Sequence, residues 1–571
     1  MHSSVSMLRH RLSCRVLAGL LAVWVMTLGP TSALAAPGAL DSTFGTGGKV
    51  TTDFGGLFDW ANALVRQPDG KLVIAGYSSA GDADNFALAR YNPNGSLDPA
   101  FGTGGKVITD FGGSVNEALA MVLQPDGKLV AAGYTQAAGD DFALARYNSN
   151  GSLDPAFGTG GKVITDFDAM DEVVLALIQQ PDGKLVAAGY TQAAGGFDFA
   201  LVRYNSNGSL DSTFGTGGKV TTDFGGLDRA NALVVQPDGK LVAAGSTQVG
   251  GASNFALARY NINGSLDGAF GTGGKVTTDF GNPDDEVFAL VLQPDGKLVA
   301  AGSTQAAGVY DFALARYNIN GSLDGAFGTG GKVTTDVFGR PDDKASALVL
   351  QPDGKLVAAG YSLDDAGYDF ALDRYNINGS LDTAFGAGGM MIADFGSPDD
   401  AAAALVLQPD GKLVAAGYTA TVDGYDVALA RFQGDGTATA ARTLTTTKTS
   451  TGSGSDSPEQ RTFLATDPIA VRGAYYDPND ACLGVNPVSV KFFVFNLAGQ
   501  LVLGKNRDAG SAPTNTVTNT QIGTSKHQAL VASMAPGELL PGAYKLVFRV
   551  QDCASTEVLV SKFYTIRVLA P

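Results

Sequence analysis

The residues able to carry chemistry are unevenly spread along the chain. Histidine occurs only at His2, His10 and His527, and cysteine only at Cys14, Cys482 and Cys553. The stretch 36–436 holds neither, which excludes Ser–His–Asp and Cys–His nucleophile systems there, and any His-ligated metal. Carboxylates remain. The phrase Gln-Pro-Asp-Gly-Lys recurs seven times, and eight residues ahead of the copies stand Asp59, Asn116, Glu172, Asp228, Asp285, Asp343 and Asp400. Acids repeated at one position can cap nearby backbone N–H groups. They can also form an acidic ring that focuses a negative potential and attracts a cation. The position falls where one strand crosses into the next, so these side chains are expected to circle one mouth of a central channel. Ca²⁺ is the ion such an all-oxygen ring would suit, and no cofactor is otherwise implied.

The next position is diversified, holding Trp60, Glu117, Val173, Arg229, Glu286, Lys344 and Ala401. The spacers 79–85, 249–254 and 363–369 vary as well. Variation on a constant frame marks the place to seek a ligand. Trp60, Glu117, Arg229, Glu286 and Lys344 are therefore the candidate binding face. Three further motifs read as structure. Gly-Thr-Gly-Gly-Lys, from Gly45 to Lys49 and in copies, lacks the spacing, the following Ser or Thr and the helix of a phosphate loop. Asn-x-Asn-Gly-x-x-Asp, from Asn318 to Asp324 and in copies, lacks the ligand series of a calcium loop and suits a hairpin turn. One arginine per copy (Arg90, Arg146, Arg203, Arg259, Arg316, Arg374, Arg431) suggests a repeated structural pairing with an aspartate.

The elements that must position these residues follow from the repeat. Gln67, Gln124, Gln180, Gln236, Gln293, Gln351 and Gln408 are 56–58 residues apart, a period that decides the fold before any local signal. Within one copy, 288–293, 297–304, 311–317 and 332–336 read as four strands. Pro294-Asp295-Gly296 joins the first two, and Asn320-Gly321 is expected as a turn with both central residues at positive φ. Four antiparallel strands, apolar on both faces, make a propeller blade packed between neighbours. A Leu-Asp pair precedes each Phe-Gly seven times, first at Leu40-Asp41, before any Gln-Pro-Asp-Gly-Lys. Residues 38–54 are thus expected to give the outer strand of the last blade, a split blade that closes the ring and hides two sheet edges.

Around the repeats lie other segments. Arg9, Arg11 and Arg15 precede an apolar run at 16–28 and the small residues Ala33-Leu34-Ala35, the pattern of a signal peptide over 1–35. No later run reaches the roughly 20 apolar residues of a membrane span. The chain carries −17 and becomes −20 once three arginines leave with the signal, which disfavours nucleic acid and anionic lipid. Residues 437–459, rich in Thr, Ser and Gly, read as a flexible linker. The strand-like runs 488–495, 543–550 and 562–569 suggest an immunoglobulin-like β-sandwich over 460–571. A Cys482–Cys553 disulfide is expected there, closing 71 residues and contributing about 4 kcal/mol.

The elements QPDGKLVAAG, FALARYNxNGSLD and FGTGGKV, in fixed order over 38–436, resemble delta-60 repeats of exported bacterial proteins, and the blade pattern is similar to NHL repeats. The resemblance implies an exported propeller and fixes no ligand. The fold expected is all-β: a seven-bladed β-propeller over 36–436 closed by a split blade, then the sandwich. The function expected is non-catalytic binding of an extracellular protein or glycan by a monomer that is secreted, periplasmic or at the cell surface. A hydrolase or lyase acting on extracellular carbohydrate through the acidic mouth is the second reading, and a structural surface component the third.

Overall fold

The computed structural model describes residues 36–435, apart from 80–82, 137–138, 168–170 and 194–195, and beyond them the backbone of nine strands between residues 443 and 569. Every regular element among the described residues is a strand. Blade 1 shows the unit: Asp59–Arg66, Leu72–Ser79, Asp84–Tyr91 and Lys106–Thr109 run as an antiparallel meander. Blades 2 to 7 open at Val115, Glu172, Leu227, Asp285, Asp343 and Asp400. The seventh takes its fourth strand, Lys49–Thr52, from the N-terminal end of the chain, where it pairs antiparallel with Tyr425–Phe432. The split blade expected from the repeat register is present.

The turns explain the repeated glycines. In Gln67-Pro-Asp-Gly-Lys71, Gln67 N–H donates to Lys71 O and Gly70 N–H to Gln67 O, with Gly70 at φ 90°. The Asn-Gly turn differs from the expectation that two residues adopt positive φ. Gly95 has φ 89° and Asn94 is not in the left-handed region. Pro93 fixes a type I geometry over Pro93-Asn94, and Gly95 alone closes the three-residue loop.

The second strand's glycine has a separate cause. Each first strand carries a bulge, in blade 1 between Ala61 and Ala63, which drives its backbone toward the partner strand. A Cβ on Gly76 would lie 1.8 Å from the carbonyl oxygen of Trp60, so only glycine fits.

The cores lie between blades, not within them. Seven buried clusters each join two neighbouring blades. One packs Leu64, Ile74 and Ala89 of blade 1 on Val414, Ala416 and Leu429 of blade 7. The first strands of successive blades contact one another all the way round, which sets them innermost. No sheet closes on itself. The succession of packed seams closes instead, which is how radial repetition limits exposed edges.

Two polar devices repeat, one across the seams and one within the blades. Tyr91 Oη donates to Thr52 Oγ1 at 2.9 Å, and the same buried pair joins five more seams. At the remaining seam the pair is Phe432 and Ala393, so both hydroxyls vanish together and neither is orphaned. The once-per-blade arginine pairs as the repeat suggested: Arg90 Nε donates to Asp98 Oδ2 at 2.8 Å, and Lys71 Nζ meets the same oxygen at 2.9 Å.

Beyond residue 442 the backbone forms one four-stranded and one five-stranded sheet. Thr443–Lys448, expected within flexible linker, is instead a strand paired with Ile469–Tyr476; its β-branched run suits a strand. Residues 1–35, Cys482 and Cys553 lie outside the described residues.

Candidate functional site

The acidic ring does not face the channel. Asp59, Asn116, Glu172, Asp228, Asp285, Asp343 and Asp400 are all fully buried. Each acid accepts a backbone N–H from the crossover just before it: Phe54, Phe167, Phe224, Phe280, Val337 and Phe395 donate at 2.5–2.7 Å. These side chains cap the backbone. The open acidic funnel expected from the sequence is absent because the first strand turns this position into the seam between blades. Burial raises the pKa of these aspartates, most plainly Asp343, pushed up to about 7 by burial with Asp336 and Asp311 adding to the shift.

The diversified position is mixed in exposure, with Val173 and Ala401 buried. Trp60, Glu117, Glu286 and Lys344 are partly exposed at the inner end of the variable side, and Arg229 is exposed. The register places a second residue beside each: Tyr77, Tyr134, Tyr190, Ser246, Ser303, Tyr361 and Tyr418. The variable face is therefore a collar of tyrosines with charged residues set among them. Sequence reasoning missed these tyrosines, although their alternation with serine in the second strand was visible.

Contacts in the collar run from blade to blade. Trp60 of blade 1 stacks on Tyr418 of blade 7 with ring centroids 4.1 Å apart. Arg229 of blade 4 lies over Tyr190 and Phe197 of blade 3 at 5.0 and 5.1 Å. Lys344 of blade 6 sits 3.9 Å from the Tyr310 ring of blade 5, a geometry that favours cation–π attraction. Glu286 lies within electrostatic reach of both Lys344 and Arg229, while burial and Asp284 raise its pKa. Burial pushes Glu117 up to about 7, with Asp84 and Asp140 contributing and Tyr134 opposing.

The seam between blades 7 and 1 is the most aromatic part of the collar. Phe58 stacks on Tyr425 at 5.8 Å, and Tyr77 and Tyr418 flank Trp60. A cleft of about 470 Å³ opens there, lined by Leu57, Phe58, Trp60, Tyr77, Ser79 and Asp84. Leu57 and Phe58 are 58% and 43% exposed, so an apolar surface faces solvent beside a carboxylate and a hydroxyl.

Seven segments of the chain, 67–101, 124–157, 180–214, 236–270, 293–327, 351–385 and 408–438, match one family model, a β-propeller domain of unknown function (DUF5122). The chain is a repeat β-propeller. Six matched segments run from the Gln-Pro-Asp-Gly-Lys turn through the third strand to the Phe of the Phe-Gly turn, the seventh ends just past its third strand, and all seven leave out the diversified first strand. None of the curated proteins matches the propeller chain. Among solved structures it is similar to Sqt1 from Chaetomium thermophilum bound to the N-terminus of the ribosomal protein L10, at 13% identity over 66% of this chain and 98% of that one, with a TM-score of 0.38. It is also similar to polysaccharide lyase Uly1, at 12% identity over 66% of this chain and 90% of that one, with a TM-score of 0.37. Likenesses at this level bear on neither ligand nor activity.

Proposed function

We propose that the chain is an exported, non-catalytic binding protein whose variable face engages an extracellular glycan or protein, with the tail, read as an immunoglobulin-like sandwich, adding contacts or spacing. The observation that carries this reading is the half-exposed aromatic seam of Phe58, Trp60 and Tyr425 beside Asp84 and Ser79. Flat rings next to a carboxylate and a hydroxyl offer a sugar ring both a stacking surface and hydrogen-bond partners. A mixed-charge aromatic collar also suits a protein loop, since such side chains anchor interfaces.

Glycan-array and pull-down capture with Phe58→Ala tests it. Capture is expected to fall about tenfold or more, the range set by losing an anchor residue. The melting temperature is expected to change little, because Phe58 is 43% exposed and its ring stacks only loosely, at 5.8 Å, on Tyr425. Trp60→Ala is the poorer probe, since Trp60 packs against Tyr77, Tyr418 and Tyr425 and its loss would disturb the seam more. Equal capture by Phe58→Ala, Arg229→Ala and wild type would sink the reading.

Glu117 favours the enzymatic alternative, in which a glycan-cleaving enzyme uses it as a proton donor. A carboxyl held near pKa 7 at the mouth is suited to general acid work. The buried Asp285 and Asp343 are not. If that alternative holds, Glu117→Gln abolishes turnover of a glycan the wild type cleaves; no turnover by the wild type on any captured glycan leaves the binding reading.

A further inference from the structure

Each seam repeats one arrangement on the variable side. The third strand of one blade, the end of its fourth strand and the buried cap of the next blade bring three polar side chains together. At five seams among the described residues all three are carboxylates, with one oxygen of each within 4.8 Å of the others. A cation ordinarily stands close by. At six seams a lysine heading the next blade's fourth strand (Lys49, Lys106, Lys162, Lys219, Lys275 or Lys332) donates to the backbone carbonyl of the seam's exposed aspartate.

Between blades 5 and 6 that lysine is replaced by Met390. The carboxylates there are Asp311, Asp336 and Asp343. Asp343 is fully buried; its Oδ2 accepts from Val337 N–H at 2.7 Å, and its Oδ1 has no donor in hydrogen-bonding geometry. Ser362, across the strand pair, is close enough to favour the charged carboxylate, yet its buried Oγ also lacks a well-placed partner. Asp373, buried on the strand beside Met390, brings a fourth carboxyl within electrostatic reach of Asp343. Asp59 and Asp228 have orphaned oxygens too, but Lys106 and Lys275 donate to the aspartates of their seams. An orphaned buried carboxylate oxygen asks for a partner, and this seam alone lacks the ammonium.

We propose that Asp311, Asp336 and Asp343 hold one divalent cation, Ca²⁺ by preference, at the seam between blades 5 and 6. The ion takes the place that lysine holds at the other seams. Exposed Asp336 opens the site to solvent, and buried Asp343 supplies the inner ligand. Asp311 and Asp343 come from separate strands, and Asp336 stands just past the end of a third. Ca²⁺ accepts such irregular oxygen shells with bound water, whereas Mg²⁺ demands a near-ideal octahedron.

Calorimetric titration of the chelator-stripped full chain with CaCl₂ alone tests the proposal. One saturable site per chain is expected, with a melting temperature that climbs as Ca²⁺ is raised. Met390→Lys restores the residue of six other seams, so it is expected to fold and to abolish both effects. Asp336→Asn, at an exposed position, is expected to do the same and decides the matter should Met390→Lys fail to fold. No heat in the wild type, or heat undiminished in the variants, overturns the site.

Discussion

Replacing Asp41 with alanine is expected to lower the stability of the propeller by about 3–5 kcal/mol, the range for breaking a buried ion pair from one side. Asp41 is 1% exposed and is the single carboxylate between Arg431 Nε and Lys412 Nζ, each 2.7 Å from its Oδ2. Its Oδ1 accepts from the amide and hydroxyl of Thr43 at 3.1 and 2.8 Å. In every other blade the equivalent aspartate and arginine are eight residues apart, and the pair fastens a local turn. Here 390 residues separate them, and the pair fastens the N-terminal strand to the last blade. Alanine would leave two cations facing a void and would loosen the strand Lys49–Thr52 that covers the edge of Tyr425–Phe432. Thermal melting gives the size of the effect. Hydrogen exchange of these two strands gives its place, and Asp211→Ala in blade 3 is the control. Loss confined to blade 3 in the control and to the clasp in Asp41→Ala is the expected pattern; a drop under about 1 kcal/mol would mean that packing of Phe44 alone holds the clasp.

The same residue gives the clasp a pH limit. Burial opposes its ionisation, but Lys412, Thr43 and Arg431 outweigh it and hold Asp41 down to about 2. A carboxylate depressed on folding binds fewer protons in the native state, so its contribution is complete above about pH 4 and is lost as pH falls through about 2.

Much of this architecture was legible because the turns and their spacing are chemical. Pro-Asp-Gly and Asn-Gly leave the backbone few choices, and seven equal intervals leave the topology few. The displaced first Leu40-Asp41 even located the split blade. The failures trace to strands buried on both faces, where alternation carries no sign. Asp59 and Trp60 are adjacent, and their place at the strand crossover put both at the mouth. The structure sends one into a seam and the other to the collar. The bulge between Ala61 and Ala63 matters equally. Without it, Trp60 would face Ser78; with it, Trp60 faces Tyr77, and the tyrosine collar assembles. No residue type announces that bulge except the second-strand glycine, and its need for a close backbone approach is visible only in three dimensions. The replacement of Lys by Met390 was visible throughout, but gained meaning only once the lysines were seen to donate across the seam.

Asp373→Ala is expected to stabilise the protein by about 2 kcal/mol near pH 7, within the range for removing a buried polar group that lacks partners. The position holds Ala89, Ala145, Val202, Ala258, Ala315 and Ala430 in the other blades, so alanine fits its strand. Asp373 is fully buried and its Oδ1 has no partner. Its Oδ2 accepts only a long bond, 3.3 Å, from Tyr375 Oη, a hydroxyl that it shares with Thr335 Oγ1 at 2.9 Å. Burial, with the charge of Asp343 adding to it, pushes its pKa well above the ordinary carboxylate range. The sign follows: the native state keeps a proton that the unfolded chain releases near pH 4, so folding becomes less favourable as pH rises from there toward the raised native value. Melting wild type and Asp373→Ala in chelator at pH 4 and pH 7.5 should show a gain for the variant at pH 7.5 that shrinks at pH 4. A variant less stable at both pH values would mean that Asp373 is satisfied by an internal water and belongs to the fold of blade 6, and that blade 6 departs from its sisters for stability rather than to build the acidic seam beside Met390.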